Sequence, residues 1–193
     1  MIARIFKGMA RRLLRLSRNL KFRVLSRNVC FGERPQLNQP LMLEGKGNIV
    51  FGAAVKIGVG SSPNFWTSEC YIEARSSCAT VSIGENTRIN NNFSAIAENS
   101  LIEIGKDCLI GHDVFVADSD FHQLNPDFRR GGDGPVSKPV WIGDNVFIGS
   151  RVTILKGSCI GDGSVVAANS VISGKFPARS LIAGNPGKIL RML

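Results

Sequence analysis

A six-residue repeat constrains this chain more than any other feature of its sequence. From Ile142 onward the chain reads IGDNVF, IGSRVT, ILKGSC, IGDGSV and VAANSV, so an aliphatic residue returns every six positions without a slip. This period matches neither the alternation of a half-buried strand nor the 3.6-residue turn of a helix. It is typical of a parallel β-helix, in which each hexad forms a short strand and a corner and its aliphatic side chain points inward.

Shorter copies of the same repeat precede this run. They are the series Ile104, Ile110 and Val116, the series Ile83, Ile89 and Ala95, and the pair Phe51 and Ile57. The register slips between Ala95 and Ile104, which predicts extra residues at one corner. Between Val116 and Ile142 the repeat disappears in a polar stretch rich in Gly and Pro, which predicts an ejected loop at 117–139. Long loops on a rigid repeat scaffold usually carry function.

The excess positive charge of the chain lies entirely at its N-terminus. Nine of the 24 basic residues precede residue 28, where there is no acid, and the other 15 are balanced by 15 acidic residues. Apolar residues recur there at spacings of three and four, from Ile2 to Leu20, which predicts an amphipathic helix in residues 1–27. Such a helix can lie on an anionic membrane surface, or it can pack on the body or on a partner subunit with its arginines solvated. No nucleic-acid motif follows it, so we expect no nucleic-acid partner.

Composition narrows the class of protein further. Apolar residues make up 44% of the chain and charged residues 20%, which is typical of a globular protein. No apolar stretch is long enough to span a membrane and the N-terminus lacks the pattern of a secretory signal, so we expect a cytoplasmic location. The five cysteines are scattered without CxxC spacing, which predicts neither a disulfide framework nor a thiolate metal site.

The repeats resemble a known family. The run KPVWIGDNVFIGSRVTILKGSCIGDGSVVAANSV, followed by AGNPGKILR, resembles the hexapeptide-repeat acyltransferases. The preceding DSDFH segment resembles the branch that acetylates sugars of bacterial surface polysaccharides and nucleotide-sugars. The resemblance covers about residues 49–191. It implies a left-handed β-helix, a homotrimer with active sites between subunits, acetyl-CoA as co-substrate and no required metal.

We therefore expect an all-β fold, a left-handed parallel β-helix, in a single domain at 28–193 that follows the basic arm at 1–27. A short helical tail is expected within 175–193. The expected acceptor is a sugar hydroxyl of a surface polysaccharide or its nucleotide- or lipid-linked precursor. An N-acetyltransferase of amino sugars and an antibiotic-modifying acetyltransferase stay open.

Acetyl transfer to a hydroxyl needs a base, and histidine suits that role because its ordinary pKa lies near neutral pH. His122 stands in the ejected loop, where the family places its catalytic histidine. Asp120 and Asp118 are candidates to orient it through a hydrogen bond, although either could instead cap a turn. His112, within the hexad IGHDVF, is interpreted as a solvated corner residue.

The resemblance also implies sites for the co-substrate and the acceptor. A backbone N–H at Gly149 or Ser150 would stabilise the oxyanion. Acetyl-CoA would contact Ser150, Ala168, Ser173 and Lys188, the last through a phosphate. Asn90 and Asn91, with Asp118, are the predicted acceptor contacts, although asparagines also stabilise β-helix corners.

Two other classes compete with an acetyltransferase. A β-helical carbonic anhydrase needs three zinc-binding histidines, and this chain has two. A non-catalytic scaffold with a membrane-binding arm would have no need of a loop histidine or of the GNPGK segment.

Overall fold

A computed structural model describes residues 2–129 and 134–193, so Met1 and positions 130–133 of the predicted loop lie outside the described residues. One α-helix, α1 (Ile2–Leu25), precedes all the strands, and a short 3-10 helix lies at Pro126–Phe128. The strands are β1 (Cys30–Gly32), β2 (Gln36–Leu37), β3 (Leu41–Gly45), β4 (Asn48–Phe51), β5 (Lys56–Ile57), β6 (Cys70–Ala74), β7 (Thr80–Ile83), β8 (Arg88–Ile89), β9 (Ser94–Ala97), β10 (Leu101–Ile104), β11 (Leu109–Ile110), β12 (Phe115–Ala117), β13 (Val140–Ile142), β14 (Phe147–Ile148), β15 (Thr153–Ile154), β16 (Cys159–Ile160), β17 (Val165–Val166), β18 (Val171–Ile172), β19 (Lys175–Phe176), β20 (Ser180–Gly184) and β21 (Gly187–Met192).

Every third strand joins the same sheet, which builds a three-sided prism. Sheet one contains β1, β4, β7, β10, β13, β16 and β19, sheet two contains β2, β5, β8, β11, β14, β17, β20 and β21, and sheet three contains β3, β6, β9, β12, β15 and β18. All pairs are parallel except that of β20 with β21.

The predicted inward aliphatics stack in register. In sheet one, Ile104 pairs with Ile142 and Ile142 pairs with Ile160. The second pair is separated by one coil of 18 residues, and the first by one coil plus the ejected loop. These side chains are buried and form one continuous core along the prism. The hexad prediction is confirmed, because only an in-phase repeat brings equivalent residues face to face in successive coils.

The corners need backbone conformations that most residues resist. Asn86, Asn145 and Asn169 all have positive φ, between 53° and 62°, in the left-handed region that asparagine tolerates better than most residues. Gly149 meets a different requirement. A Cβ there would lie 2.6 Å from the backbone nitrogen of Ala168 in the next coil, so the coils can stack closely only over a glycine.

The two ends and the loop differ in how well they were predicted. Helix α1 forms where the amphipathic pattern predicted it, and the division of the chain at residue 27 stays a prediction. The repeat is interrupted between the end of β12 and the start of β13, where a long segment leaves the prism. The expected helical tail is wrong. Residues Gly187–Met192 form β21, which turns back after Gly184 and pairs antiparallel with β20, because that strand would otherwise have a free edge of unpaired backbone groups.

Candidate functional site

Three of the predicted co-substrate residues share one corner of the prism. Gly149 packs beneath the backbone of Ala168, and Ser150 lies beside Gly149 in the same coil. The Gly149 N–H donates to the Val166 oxygen at 2.8 Å, so it is already used in the coil ladder. The Ser150 N–H makes no hydrogen bond within the described part of the chain. Ala168 is exposed. This corner therefore offers one free N–H beside a small exposed residue.

The two other predicted co-substrate residues lie on different elements, Ser173 directly after β18 and Lys188 within β21. Both side chains are exposed. Gly187 packs so tightly on Ile172 that a Cβ would lie 2.7 Å from the Ile172 Cδ1. Gly174 has φ +117°, with open space around it. The tight turn after Ser173 thus depends on a glycine and leaves the hydroxyl accessible.

Asp118 anchors the root of the ejected loop. Its side chain is fully buried, and its carboxylate accepts the backbone N–H groups of Glu98 at 2.7 Å, Asn99 at 3.3 Å and Ser100 at 2.7 Å. Burial raises the pKa of this carboxyl, and the three N–H donors oppose that rise. The predicted acceptor contact at Asp118 is corrected here, because the group holds the 98–100 corner and has no exposed oxygen.

Asp120 also acts within the protein. Its Oδ2 pairs with the Lys156 ammonium, which additionally donates to the Val136 oxygen at 3.2 Å. The two ends of the loop are thereby joined to the coil that follows it. No hydrogen bond connects Asp120 to His122 in the described residues, so the structure does not support the prediction that Asp120 orients the imidazole.

A cluster of charged side chains holds Phe121, the residue before His122. The guanidinium of Arg75 lies 5.3 Å from the centre of the Phe121 ring and also pairs with Glu73, at 3.0 Å, and with Glu98. Phe121 has φ +61°, a left-handed conformation that costs a bulky residue roughly 1–3 kcal/mol. Such strain persists only where surrounding contacts enforce it, and it is common at functional loops.

His122 follows this strained residue on the same loop. Its side chain is exposed and forms no hydrogen bond with the described residues. The imidazole is therefore accessible to a ligand from solvent or from a neighbouring subunit. The loop is held at its root by Asp118, on one side by Asp120 and through the Phe121 ring, so the position of His122 is restricted although its side chain is free.

The two predicted asparagines differ in their surroundings, since Asn91 is buried and Asn90 is partly exposed. The amide of Asn91 is fully buried: it donates to the carbonyl oxygens of Val59, Ser62 and Pro63 and accepts the Val59 N–H at 2.9 Å. Its predicted acceptor contact is corrected, since the buried amide cannot be reached from the surface and is held by these backbone groups. Asn90 is half-buried and its Oδ1 accepts the Asn91 N–H at 2.8 Å, while its side-chain NH₂ stays available.

His112 belongs to a pair that sequence reasoning missed. Its Nδ1 lies 2.7 Å from the Asp113 carboxylate, the geometry by which a carboxylate orients a base. Partial burial raises the pKa of Asp113, but hydrogen bonds from Asn92, His112 and Asn64 outweigh it and the pKa is lowered overall. The His112 oxygen accepts the Arg151 N–H, so this pair sits one coil below Ser150. The adjacent letters HD were a visible signal, but adjacency alone does not show that two side chains meet.

The comparisons with known proteins agree with this architecture. Residues 139–174 match the model of the bacterial transferase hexapeptide family, described as six repeats. WbbJ of Escherichia coli K12, named as a lipopolysaccharide biosynthesis O-acetyl transferase, is 31% identical over 163 residues, covering 79% of this chain and 76% of its own. Galactoside O-acetyltransferase of the same organism is 35% identical over 115 residues, which covers 57% of this chain and 56% of the relative.

A solved structure extends the likeness over almost the whole chain. The hexapeptide-repeat acetyltransferase VCA0836 of Vibrio cholerae O1 biovar eltor, complexed with acetyl-CoA, is 27% identical and covers 95% of this chain and 85% of its own, with a TM-score of 0.56. The left-handed parallel β-helix expected from the resemblance is confirmed. This chain belongs to the hexapeptide-repeat acetyltransferase family and is an acyltransferase.

Across 2–129 and 134–193, no group of three His, Cys, Asp or Glu side chains is placed to hold a metal ion. Within the same ranges, α1 is not apolar enough to cross a membrane and no other helix is long enough.

Proposed function

We propose that this enzyme transfers the acetyl group of acetyl-CoA to a hydroxyl of a bacterial surface polysaccharide or of its saccharide precursor. The similarity to WbbJ over 79% of the chain carries this proposal, because that relative is named for O-acetyl transfer in lipopolysaccharide biosynthesis. The acetyl-CoA bound in the VCA0836 structure supports the choice of donor.

In the proposed reaction His122 is the general base. The acceptor hydroxyl attacks the thioester carbonyl carbon while the imidazole takes its proton. The tetrahedral oxyanion is stabilised by the free Ser150 N–H. The intermediate then collapses, the C–S bond breaks, and the imidazolium returns the proton to the CoA thiolate. No covalent enzyme intermediate is needed, so the base leaves the cycle in its starting state.

Three exposed residues of the C-terminal coils and hairpin serve the donor in this proposal. Ala168 gives the pantetheine arm room beside the backbone, Ser173 flanks the arm, and Lys188 pairs with a CoA phosphate. Their support is positional, since all three are exposed along the C-terminal coils. Asn90 remains a candidate to bind the acceptor through its free NH₂ group.

We further propose a homotrimer that acts in the cytoplasm. Leu109 and Phe147 are half-exposed neighbours in sheet two, an apolar patch on an outer face of the prism that a partner subunit would cover. All five cysteines are free, as expected in a reducing compartment. A sedimented mass of about three times the 20.9 kDa chain would support the assembly, and a monomer at assay concentration would contradict it.

The test of the mechanism is thiol release from acetyl-CoA with a panel of nucleotide-sugars, oligosaccharides and amino sugars. His122→Ala is expected to lower kcat by about 10²–10⁴-fold while CoA still binds. His112→Ala is the matched variant, because it removes the other histidine, and we expect a much smaller loss.

Three other results would change the proposed base, the proposed acceptor or the proposed function. If His112→Ala abolishes turnover and His122→Ala does not, the base is the His112–Asp113 pair. If only amino sugars react, the enzyme is an N-acetyltransferase. If no acceptor reacts and CoA does not bind, the acetyl-transfer proposal fails and a scaffold role replaces it.

A further inference from the structure

The N-terminal helix attaches to the body by its polar side. Arg18 donates to the Phe65 oxygen at 2.8 Å and to the Ser68 oxygen at 2.7 Å, and Asn19 donates to the Leu37 oxygen at 3.1 Å. At the end of the helix the Ser26 hydroxyl accepts the Leu43 N–H at 3.0 Å. These contacts satisfy backbone groups of the first coils, so the polar side of α1 is the side that faces the protein.

The apolar residues of α1 consequently point away from the body. We call them the apolar stripe: Ile5, Phe6, Met9, Leu13, Leu16, Leu20 and Val24. They recur every three or four residues and therefore share one side of the helix. All seven are exposed, with fractions such as 72% at Phe6, 64% at Leu13 and 75% at Val24. A continuous exposed apolar surface of this size indicates a binding surface.

The charge around the stripe indicates what covers it. Residues 1–27 contain nine basic side chains and no acid. Arg15 of the helix also lines a cavity of about 360 Å³ together with Lys56 and Arg88 of the body, so the positive charge continues from α1 onto the first coils. Residues 28–193 have no net charge, so the body of a second copy has no net negative charge to attract this arm, whereas an anionic lipid surface does.

We infer that α1 docks the enzyme on an anionic lipid surface, with the apolar stripe buried in the headgroup region and the flanking cations over lipid phosphates. A helix of 24 residues is about 36 Å long and can lie flat in the interface. Apolar burial and attraction to anionic lipid act together in such helices, and each lysine or arginine near the surface adds to the affinity.

The chain offers a matched pair of variants to test this inference. Leu13→Gln with Leu20→Gln removes two leucines from the apolar stripe. Leu14→Gln with Leu25→Gln removes two leucines that are also exposed, 57% and 49%, but lie off the stripe, since Leu14 is about 100° from Leu13 around the helix. Glutamine keeps the helix propensity of both pairs similar.

The measurement is co-sedimentation of the full-length protein with vesicles of equal parts phosphatidylglycerol and phosphatidylcholine, compared with pure phosphatidylcholine. We expect the wild type to bind the anionic vesicles, the stripe variant to bind at least tenfold more weakly, and the off-stripe variant to bind within about threefold of the wild type. Raising NaCl from about 0.1 M to about 1 M should weaken the binding, because the Debye length falls from about 10 Å to about 3 Å.

Far-UV circular dichroism and the thermal midpoint verify that both variants are folded. Equal losses in the two folded variants would overturn the role of the stripe. A wild type that binds neither vesicle would overturn the membrane inference. If, in addition, the stripe variant alone changed the sedimented mass, the stripe would be a contact between copies of this chain. None of these outcomes depends on acetyl transfer, so the proposed function is tested separately.

Discussion

The C-terminal coils and the loop that leaves the prism before them are held in place by different means. From Val140 to Gly184 the chain repeats one unit, and backbone pairing with inward aliphatics fixes each coil on the one before. Within the described residues between β12 and β13, Ser119 and Ser137 form an isolated backbone bridge instead of a continued ladder. The position of this segment depends on a few side chains, namely Asp118, Asp120 with Lys156, and Phe121 with Arg75.

Because of this difference, the coils hold their groups in fixed positions, whereas the loop can change its position. The coils present backbone groups, such as the Ser150 N–H, at positions that no single surface side chain controls. The loop presents a side chain, His122, whose position can change with the contacts at its root. The coils should therefore be most sensitive to steric change, and the loop to loss of particular polar groups.

The largest effect should come from a steric change in the coils. Gly149→Ala places a Cβ 2.6 Å from the Ala168 nitrogen and should lower the free energy of unfolding by about 3 kcal/mol. Urea denaturation at fixed protein concentration measures it. Gly60→Ala is the control, because a Cβ there meets nothing closer than 3.8 Å, and it should change stability by less than about 0.5 kcal/mol. Equal costs at the two positions would mean that close stacking is not what Gly149 provides.

A smaller effect is expected at the root of the loop. Asp118→Asn keeps the shape but turns an NH₂ group toward backbone N–H donors, so stability should fall by about 2 kcal/mol. Amide hydrogen exchange should also accelerate at Glu98 and Ser100, whose N–H groups lose their acceptor. The exposed Asp127→Asn should leave both measurements unchanged. Unchanged exchange at residues 98–100 would show that Asp118 does not hold this corner.

The smallest effect concerns the ion pairs that connect the coil to Phe121. Partial burial raises the pKa of Glu73, but the hydrogen bond and charge of Arg75 outweigh it, and the net pKa is lowered. The ionised Glu73 therefore contributes to the free energy of unfolding at neutral pH. This contribution is lost as the pH falls through the folded-state pKa of Glu73, which lies below the usual glutamate range. Because Arg75 is well exposed, we expect less than about 1 kcal/mol.

The measurement is the free energy of unfolding of the wild type and of Glu73→Gln from pH 7 down to pH 3. The wild type should lose more stability over the acidic part of this range than the variant. Parallel curves would show that Glu73 does not contribute through its charge.

The sequence predicted the coils well because their structure is local and repeated. A hexad carries its own inward aliphatic and its own corner residue, so Ile142, Ile148 and Ile154 could be assigned to three faces without knowledge of the rest of the chain. The basic amphipathic helix was predictable for the same reason, since a period of three to four residues lies within one segment.

Features that depend on contacts between distant or differently oriented segments were not predictable. The three N–H donors to Asp118 come from a corner about 20 residues away. Lys156, the partner of Asp120, lies 36 residues along the chain. The tail was assigned to a helix because nothing within KILRML shows the free edge of β20, which is what makes β21 a strand. The His112–Asp113 pair was not predictable because its hydrogen bond depends on the directions of the two side chains, which the sequence does not show.

The antiparallel hairpin of β20 and β21 has a consequence for how far such a protein can extend. A stack of identical coils has no inherent end, and the last edge of each sheet could accept another chain as its next layer. By reversing direction, β21 occupies the final edge of sheet two with a strand of opposite polarity, so a further coil could not repeat the parallel pairing of the others there. Strand β21 thus caps the edge of sheet two and disfavours the addition of another parallel layer at that edge.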